Sequence, residues 1–93
     1  MREIIRFVKR LFGKYDTGYE YWVNLKDIQI TPEFRSTYPR HKKMIQKWNY
    51  YRETGEFESP IVLMRNFTLV NGYTSYLIAE KQGLDKVPVY FVD

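Results

Sequence analysis

The 93-residue chain contains no cysteine and only one histidine, His41. The lack of cysteine excludes disulfides, thiolate metal sites and thiol catalysis. A catalytic relay or metal site that needs several histidines is excluded as well. No apolar run reaches the roughly 18 residues that a membrane-spanning helix needs, and Arg6, Lys9 and Arg10 interrupt any secretory signal. We therefore expect a cytoplasmic protein in a reducing setting.

The chain does contain many aromatic residues and a small excess of positive charge. Nine Tyr, six Phe and two Trp make up 18% of the residues, and the hydrophobic fraction is 44%. This composition is typical of a folded protein, and the length predicts one domain with a modest core. The net charge of +4 permits an anionic partner such as nucleic acid without requiring one.

The spacing of apolar residues predicts three helices and four strands. Along the chain they are helix 1–12, strand 19–25, helix 39–54 with Pro39 at its start, strands 61–64 and 67–70 around a turn at 65–66, helix 73–82 and strand 87–92. Residues 14–18 are expected to form a polar link, residues 26–28 a single turn, and residues 29–36 an irregular segment. Pro88 suggests either that the last strand lies at a sheet edge or that Pro88 is at the start of the strand.

This order of elements predicts an α+β fold in which a small mixed β-sheet packs with helices. Residues 1–18 would form an amphipathic N-terminal helix and its link, and residues 19–93 would form the domain. The N-terminal helix carries an apolar face with basic flanks. It is a candidate for docking on the sheet or for a homodimer interface, and the alternative is contact with an anionic membrane surface.

Three sequence blocks carry a resemblance to a known family. They are VNLKDIQITPEFR at 23–35, SPIVL at 59–63 and FTLVNGYTSYLIAEKQGLDKVPVYFV at 67–92. Together they resemble the N-terminal ParB-like domain of the ParB/sulfiredoxin superfamily, and the ending GLDKVPV at 83–89 is the most specific match. The resemblance implies a ParB/sulfiredoxin-like fold over about 21–93, a nucleotide- or DNA-related function, and a plasmid, phage or other mobile element as its setting.

The sequence departs from the family at the loop after the third strand. Family members carry charged residues after the loop glycine, where arginines meet nucleotide phosphates, and sulfiredoxin has its reactive cysteine there. This chain has Tyr73, Thr74 and Ser75 after Gly72, and it has no thiol, so sulfiredoxin chemistry is excluded. The missing arginines argue against vigorous hydrolysis of a triphosphate, whose charges are usually neutralised by Arg or Lys.

The loop itself is the first candidate site. A helix N-terminus offers unpaired N–H groups and a partial positive charge to an anion. The alternative is an ordinary turn with a serine or threonine cap. In the resembling family, the segment matched by Arg35 lies near the nucleotide pocket. The candidate anion- or nucleotide-binding residues are therefore Asn71, Gly72, Tyr73, Thr74, Ser75 and Arg35.

The second candidate site is a basic run within residues 35–47, which contains no acidic residue. Lys43, Lys47 and Tyr50 project from one helix face, and charge beside an aromatic ring suits single-stranded nucleic acid. A solvated helix face is the alternative, and for His41 a packing role is favoured over catalysis. The candidate nucleic-acid-binding residues are Arg40, His41, Lys42, Lys43, Lys47 and Tyr50.

The leading hypothesis is a ParB-like accessory domain that binds nucleic acid or a nucleotide-like anion without strong catalysis. No catalytic residue or metal ligand is assigned. DNA and a nucleotide are the candidate partners, and a nucleotide with Mg²⁺ is the candidate cofactor. Two alternatives stay open. One is a divergent nucleotide hydrolase or metal-dependent nuclease, and the other is a protein-interaction module whose ligand site has decayed.

Overall fold

The computed structural model describes residues 15–92. The predicted helix over 1–12 lies outside these residues, so that helix and the dimer contact assigned to it remain predictions. The described elements, in chain order, are β1 Glu20–Asn24, a 3₁₀ turn Leu25–Asp27, α1 Pro32–Arg35, α2 His41–Thr54, β2 Ile61–Met64, β3 Leu69–Asn71, α3 Tyr73–Gln82 and β4 Lys86–Val92.

The four strands form one mixed sheet in the order β1-β4-β2-β3. β4 pairs antiparallel with β1 and parallel with β2, and β3 pairs antiparallel with β2. The predicted α+β class with a small mixed sheet is thus confirmed. Of the two expectations from Pro88, the edge position is wrong, because β4 is paired on both sides. Pro88 is the third residue of β4 and thus lies close to the start of the strand. Pro88 removes one N–H from this strand, and the remaining residues still hold both partners in register.

The core lies on one face of the sheet. Alternation along β4 places Val87, Val89 and Phe91 inside, because successive side chains of a strand point to opposite faces. Ile78 and Ala79 of α3 are buried as well. α3 therefore lies in the hydrophobic interior, which fixes the position of its N-terminus relative to the strands.

Tyr15 belongs to this core, although the sequence pattern assigns it to a polar link. Its side chain is only 5% exposed, and its ring stacks on Phe91 with the centroids 4.2 Å apart. Edge contacts to Tyr21 and Phe67 complete an aromatic cluster. A single aromatic residue between polar neighbours carries no periodic signal, so only the tertiary structure identifies it.

Two further predictions for the first half of the chain are corrected. Residues 29–36 are not wholly irregular, because Thr31 caps α1 by accepting a hydrogen bond from the Phe34 N–H, and Pro32 occupies the first turn. The long helix begins at His41 rather than at Pro39, because Arg40 keeps an extended backbone with ψ 141° and acts as the N-cap.

The connection between β2 and β3 is longer than the pattern predicts. The turn at residues 65–66 is present, but the returning strand begins at Leu69 instead of residue 67. Phe67 has a positive φ of 71°, which is uncommon outside glycine. Its N–H donates to the Met64 carbonyl at 2.8 Å, and its ring packs on Phe91, so the turn and the core both hold this conformation.

Candidate anion-binding cleft

A glycine joins β3 to α3 at the point where the candidate loop was predicted. Gly72 has φ 88° and ψ 26°, a left-handed conformation that glycine adopts without steric cost. A Cβ on this residue would lie 2.3 Å from the Pro60 carbonyl oxygen and 2.8 Å from the Ile61 Cα. The close approach of two backbone segments, together with the positive φ, therefore requires glycine here.

The N-terminus of α3 is open to a ligand. The first hydrogen bond of the helix runs from the Tyr76 N–H to the Gly72 carbonyl at 3.0 Å, and no side chain caps the helix. The Asn71 side chain instead accepts from the Gly72 N–H at 2.8 Å. The N–H groups of the first helical turn thus lack intrahelical partners, as at any helix start, and they carry a partial positive charge.

This helix start lies in a cleft of about 230 Å³ that also contains two lysines from α2. Lys43 and Lys47 were assigned to a separate nucleic-acid site by the sequence, and the fold brings them to the same cavity as the loop. This arrangement suits anions, because it combines a helix N-terminus that follows a strand and a glycine with two cationic side chains. The cleft is lined by Phe34, Thr37, Tyr38, Pro39, Lys43, Lys47, Ser59, Asn71, Gly72, Tyr73 and Thr74.

Thr74 and Ser75 have different positions despite being neighbours. The Ser75 side chain is 1% exposed, and its hydroxyl donates to the Ser59 carbonyl at 2.6 Å. This hydroxyl holds the segment before β2 against α3 and does not line the cleft. Thr74 does line it while being only 6% exposed.

The Thr74 hydroxyl has no partner in the part of the chain that the structure describes. None of the hydrogen bonds found within residues 15–92 involves it. Within the same residues, no fully buried polar side-chain atom lacks a partner, so this hydroxyl keeps some exposure, and Thr74 is one of the residues that line the cleft. It is therefore a neutral hydrogen-bond group that a ligand can use.

The two lysines differ in how much of their charge is free. The Lys47 ammonium contacts the Ser59 hydroxyl and lies 3.7 Å from a carboxylate oxygen of Glu58. Its side chain is 12% exposed, whereas that of Glu58 is 47% exposed, so solvent screens this ion pair and its energy is small. Lys43 is exposed. The positive charge of Lys43 is therefore less neutralised by neighbouring groups than that of Lys47.

Aromatic rings form one side of the cleft. The rings of Phe34 and Tyr73 are 5.2 Å apart, and Tyr73 stacks on Tyr76 with an interplanar angle of 12°. Tyr38 is largely exposed at the rim. Such rings present flat surfaces on which a nucleobase can stack.

The remaining predicted residues lie elsewhere. Arg35 lies near Tyr76 and is not among the described residues that line the cleft. Arg40 and Lys42 are exposed at the start of α2, and Tyr50 is exposed farther along it. His41 lines a separate apolar groove that contains Met44, Ile45 and Trp48. Helical spacing placed Lys43 and Lys47 on one face with Tyr50, but the sequence offered no signal that this face meets the loop after β3.

The Tyr76 phenol gives a testable pH dependence. Burial raises its pKa above the usual 10.0, the negative charge of Glu80 raises it further, and the Arg35 charge acts in the opposite direction. The folded state thus favours the protonated phenol. Its contribution to stability is complete below the ordinary pKa and is lost as the pH rises through the raised pKa.

We therefore expect the free energy of unfolding of the wild type to fall above pH 10 more steeply than that of Tyr76→Phe. Urea unfolding at several alkaline pH values measures this. Glu80→Gln is the matched control, because it removes the charge that raises the pKa and should give an intermediate slope. Parallel curves for the wild type and Tyr76→Phe would contradict the assignment.

Residues 15–92 contain neither a membrane-spanning helix nor a carboxylate, histidine or thiol cluster for a metal. No helix there is long and apolar enough to cross a membrane. In the same part of the chain, no group of three or more His, Cys, Asp or Glu side chains is placed to hold a metal ion.

The architecture defines the class of fold, and solved structures identify it. A pNOB8-like ParB N-domain matches with a TM-score of 0.68 and 25% identity over 81% of this chain. Sulfiredoxin from Arabidopsis thaliana matches with 0.66 and 18% over 81%. ParB from Caulobacter crescentus, in complex with CTP-gamma-S, matches with 0.62 and 21% over 82%. The chain has the ParB/sulfiredoxin-like fold that the sequence predicts.

The matches differ in how much of the other protein they cover. This chain spans 30% of the pNOB8-like protein and 45% of the Caulobacter protein, but 85% of the sulfiredoxin. No family model and no curated protein sequence matches the chain.

Proposed function

We propose that the cleft binds the phosphate of a nucleotide or of a nucleic acid strand. The observation that carries this proposal is the meeting of Lys43 and Lys47 with the uncapped N-terminus of α3 in one cavity. Lysine ammonium groups supply charge, and the helix N–H groups and the Thr74 hydroxyl supply directed hydrogen bonds. The Caulobacter ParB of the same fold is in complex with a CTP analogue, which guides the choice of nucleotides as probes.

We propose binding rather than strong catalysis as the role of the cleft. Its lining includes no carboxylate, imidazole or thiol among the described residues. General acid–base chemistry depends mostly on such groups, and a protein-held Mg²⁺ needs carboxylate ligands. Any Mg²⁺ would therefore be held mainly by the ligand's own phosphates, and binding of a single phosphate should not depend on it.

Lys43→Ala tests the proposal against a control on the same helix. With a short labelled single-stranded DNA, we expect the affinity to fall about tenfold at low salt, because a charge-assisted hydrogen bond is lost. The slope of log K against log salt should become shallower by about 1. Lys42→Ala removes the same charge outside the cleft lining and should leave both quantities nearly unchanged. Fluorescence titration at two or more salt concentrations measures them.

The outcomes separate the cleft from general electrostatics. Equal losses in the Lys42 and Lys43 variants would show that a diffuse basic helix face binds the DNA. No binding of DNA or of any nucleotide by the wild type at low salt would refute the proposed function. Release of phosphate from CTP or ATP in the presence of Mg²⁺ or Mn²⁺ would instead support the alternative of a divergent hydrolase.

A further inference from the structure

Resting on the proposed function, we infer that the cleft binds one terminal phosphate, the phosphomonoester of a nucleoside, and gains little affinity from the further phosphates of a di- or triphosphate. The charge of the cleft is that of a site for one phosphate group. Two lysines line the cleft, but the carboxylate of Glu58 lies 3.7 Å from the Lys47 ammonium and offsets part of its charge. The N-terminus of α3 adds roughly half a positive charge.

The net positive charge of the two lysines, Glu58 and the helix N-terminus is close in size to the negative charge of a single phosphate group. A phosphomonoester carries about −1.5 to −2 charges at neutral pH, close to what the cleft offers. A triphosphate adds two more anionic groups, and no further cation lines the cleft among the described residues. Arg35 is the nearest arginine along the chain to the aromatic wall, and its side chain interacts with Tyr76 instead.

The hydrogen-bond donors of the cleft also suit a terminal phosphate. A terminal phosphate presents three acceptor oxygens. The first-turn N–H groups of α3 have no cap, and Lys43 and Thr74 line the same cavity. The Thr74 side chain is only 6% exposed, but its hydroxyl has no partner within residues 15–92 and is not fully buried. It is therefore available to a phosphate oxygen as a further hydrogen-bond donor.

The cleft is also small. The cleft volume of about 230 Å³ is below the range of roughly 300–1,000 Å³ that encloses a drug-sized ligand. The cavity can therefore enclose a phosphate group but not a whole nucleotide. The sugar and base would lie at the open rim, where Tyr38 is exposed and where the rings of Phe34 and Tyr73 meet.

A phosphomonoester next to a base occurs in a free mononucleotide and at the 5′-phosphorylated end of a strand. Titrations of the full chain with CMP, AMP, CTP with and without Mg²⁺, and a short oligonucleotide with and without its 5′-phosphate separate these sources. All are measured at one ionic strength. We expect CTP to bind no more than about threefold tighter than CMP, and the 5′-phosphate to raise oligonucleotide affinity about tenfold.

Each outcome has a defined meaning. A preference for CTP over CMP larger than threefold, or no effect of the 5′-phosphate together with no binding of CMP or AMP, overturns the inference. If only the phosphorylated strand binds, the source is a strand end, and if the mononucleotides bind as well, the free nucleotide is a ligand. If no probe binds, the proposed function itself fails, which is a different result from a triphosphate preference.

Variants at Thr74 and Glu58 test the donor set and the charge of the cleft. Thr74→Val keeps the side-chain shape and should abolish most of the tenfold effect of the 5′-phosphate, whereas Thr74→Ser keeps the hydroxyl and should retain it. Glu58→Gln frees the charge of Lys47 and should raise the CTP-to-CMP affinity ratio about threefold. An unchanged phosphate effect in a folded Thr74→Val protein, or an unchanged ratio in Glu58→Gln, would contradict the assigned contacts.

Discussion

Replacing Gly72 by alanine is expected to lower the free energy of unfolding by about 3 kcal/mol or more. Two costs add at this position. A residue other than glycine is strained at φ 88°, and the new Cβ would lie 2.3 Å from the Pro60 carbonyl oxygen. The backbone of residue 72 fixes the position of the Cβ, and the Pro60 oxygen is itself a backbone atom. The clash therefore cannot be relieved by rotating a side chain.

Gly83→Ala is the matched control for this substitution. Gly83 ends α3, has a similar φ of 67°, and a Cβ there would meet nothing within 4 Å. Only the conformational cost of about 1–2 kcal/mol then remains. Urea unfolding of both variants gives the difference directly, and equal losses would show that the approach of Pro60 to Gly72 is not a tight packing contact.

Phe91→Ala is expected to lower the free energy of unfolding by about 3–5 kcal/mol, the usual cost of deleting a fully buried ring. Phe91 is 1% exposed and lies in the middle of the aromatic cluster. Its ring stacks on Tyr15 at 4.2 Å and meets Phe67 at 5.4 Å. The cavity left behind cannot close without moving the sheet and the hairpin turn at Phe67.

Tyr90→Ala provides the comparison within the same strand. Tyr90 is the preceding residue, points to the opposite face of the sheet, and is partly exposed, so we expect a loss of about 1 kcal/mol or less. Thermal and urea unfolding followed by circular dichroism measure both variants. A loss for Tyr90→Ala as large as that for Phe91→Ala would mean that the outer face of the sheet is covered by another part of the protein.

The sequence predicts an element correctly where residues next to it in the chain set its boundaries. α3 runs from Tyr73 to Gln82 as predicted, since Gly72 and Gly83 bracket it and both take positive φ values. β2 is likewise found where a continuous apolar run predicts a buried strand. α2 begins two residues later than predicted because a proline is compatible with the segment before a helix as well as with its first turn.

Long-range packing decides what these signals miss. Tyr15 has no periodic context, and its burial follows from the meeting of three distant aromatic residues, Tyr21, Phe67 and Phe91. The position of β4 inside the sheet also depends on pairing with strands far away in sequence. Proline in a strand suggests an edge, but two paired neighbours outweigh the loss of one donor.

The candidate site likewise combines features that the sequence predicts with features that only long-range packing decides. By itself, the sequence determined the glycine loop before a helix, the absence of any thiol, and the resemblance that led to the correct fold. Only the tertiary structure decided that Lys43 and Lys47 join that loop, that Ser75 binds the Ser59 carbonyl, and that Arg35 lies beside Tyr76. The physical reason is that backbone conformation depends on neighbouring residues, whereas a binding cleft depends on how α2, β2 and α3 pack together.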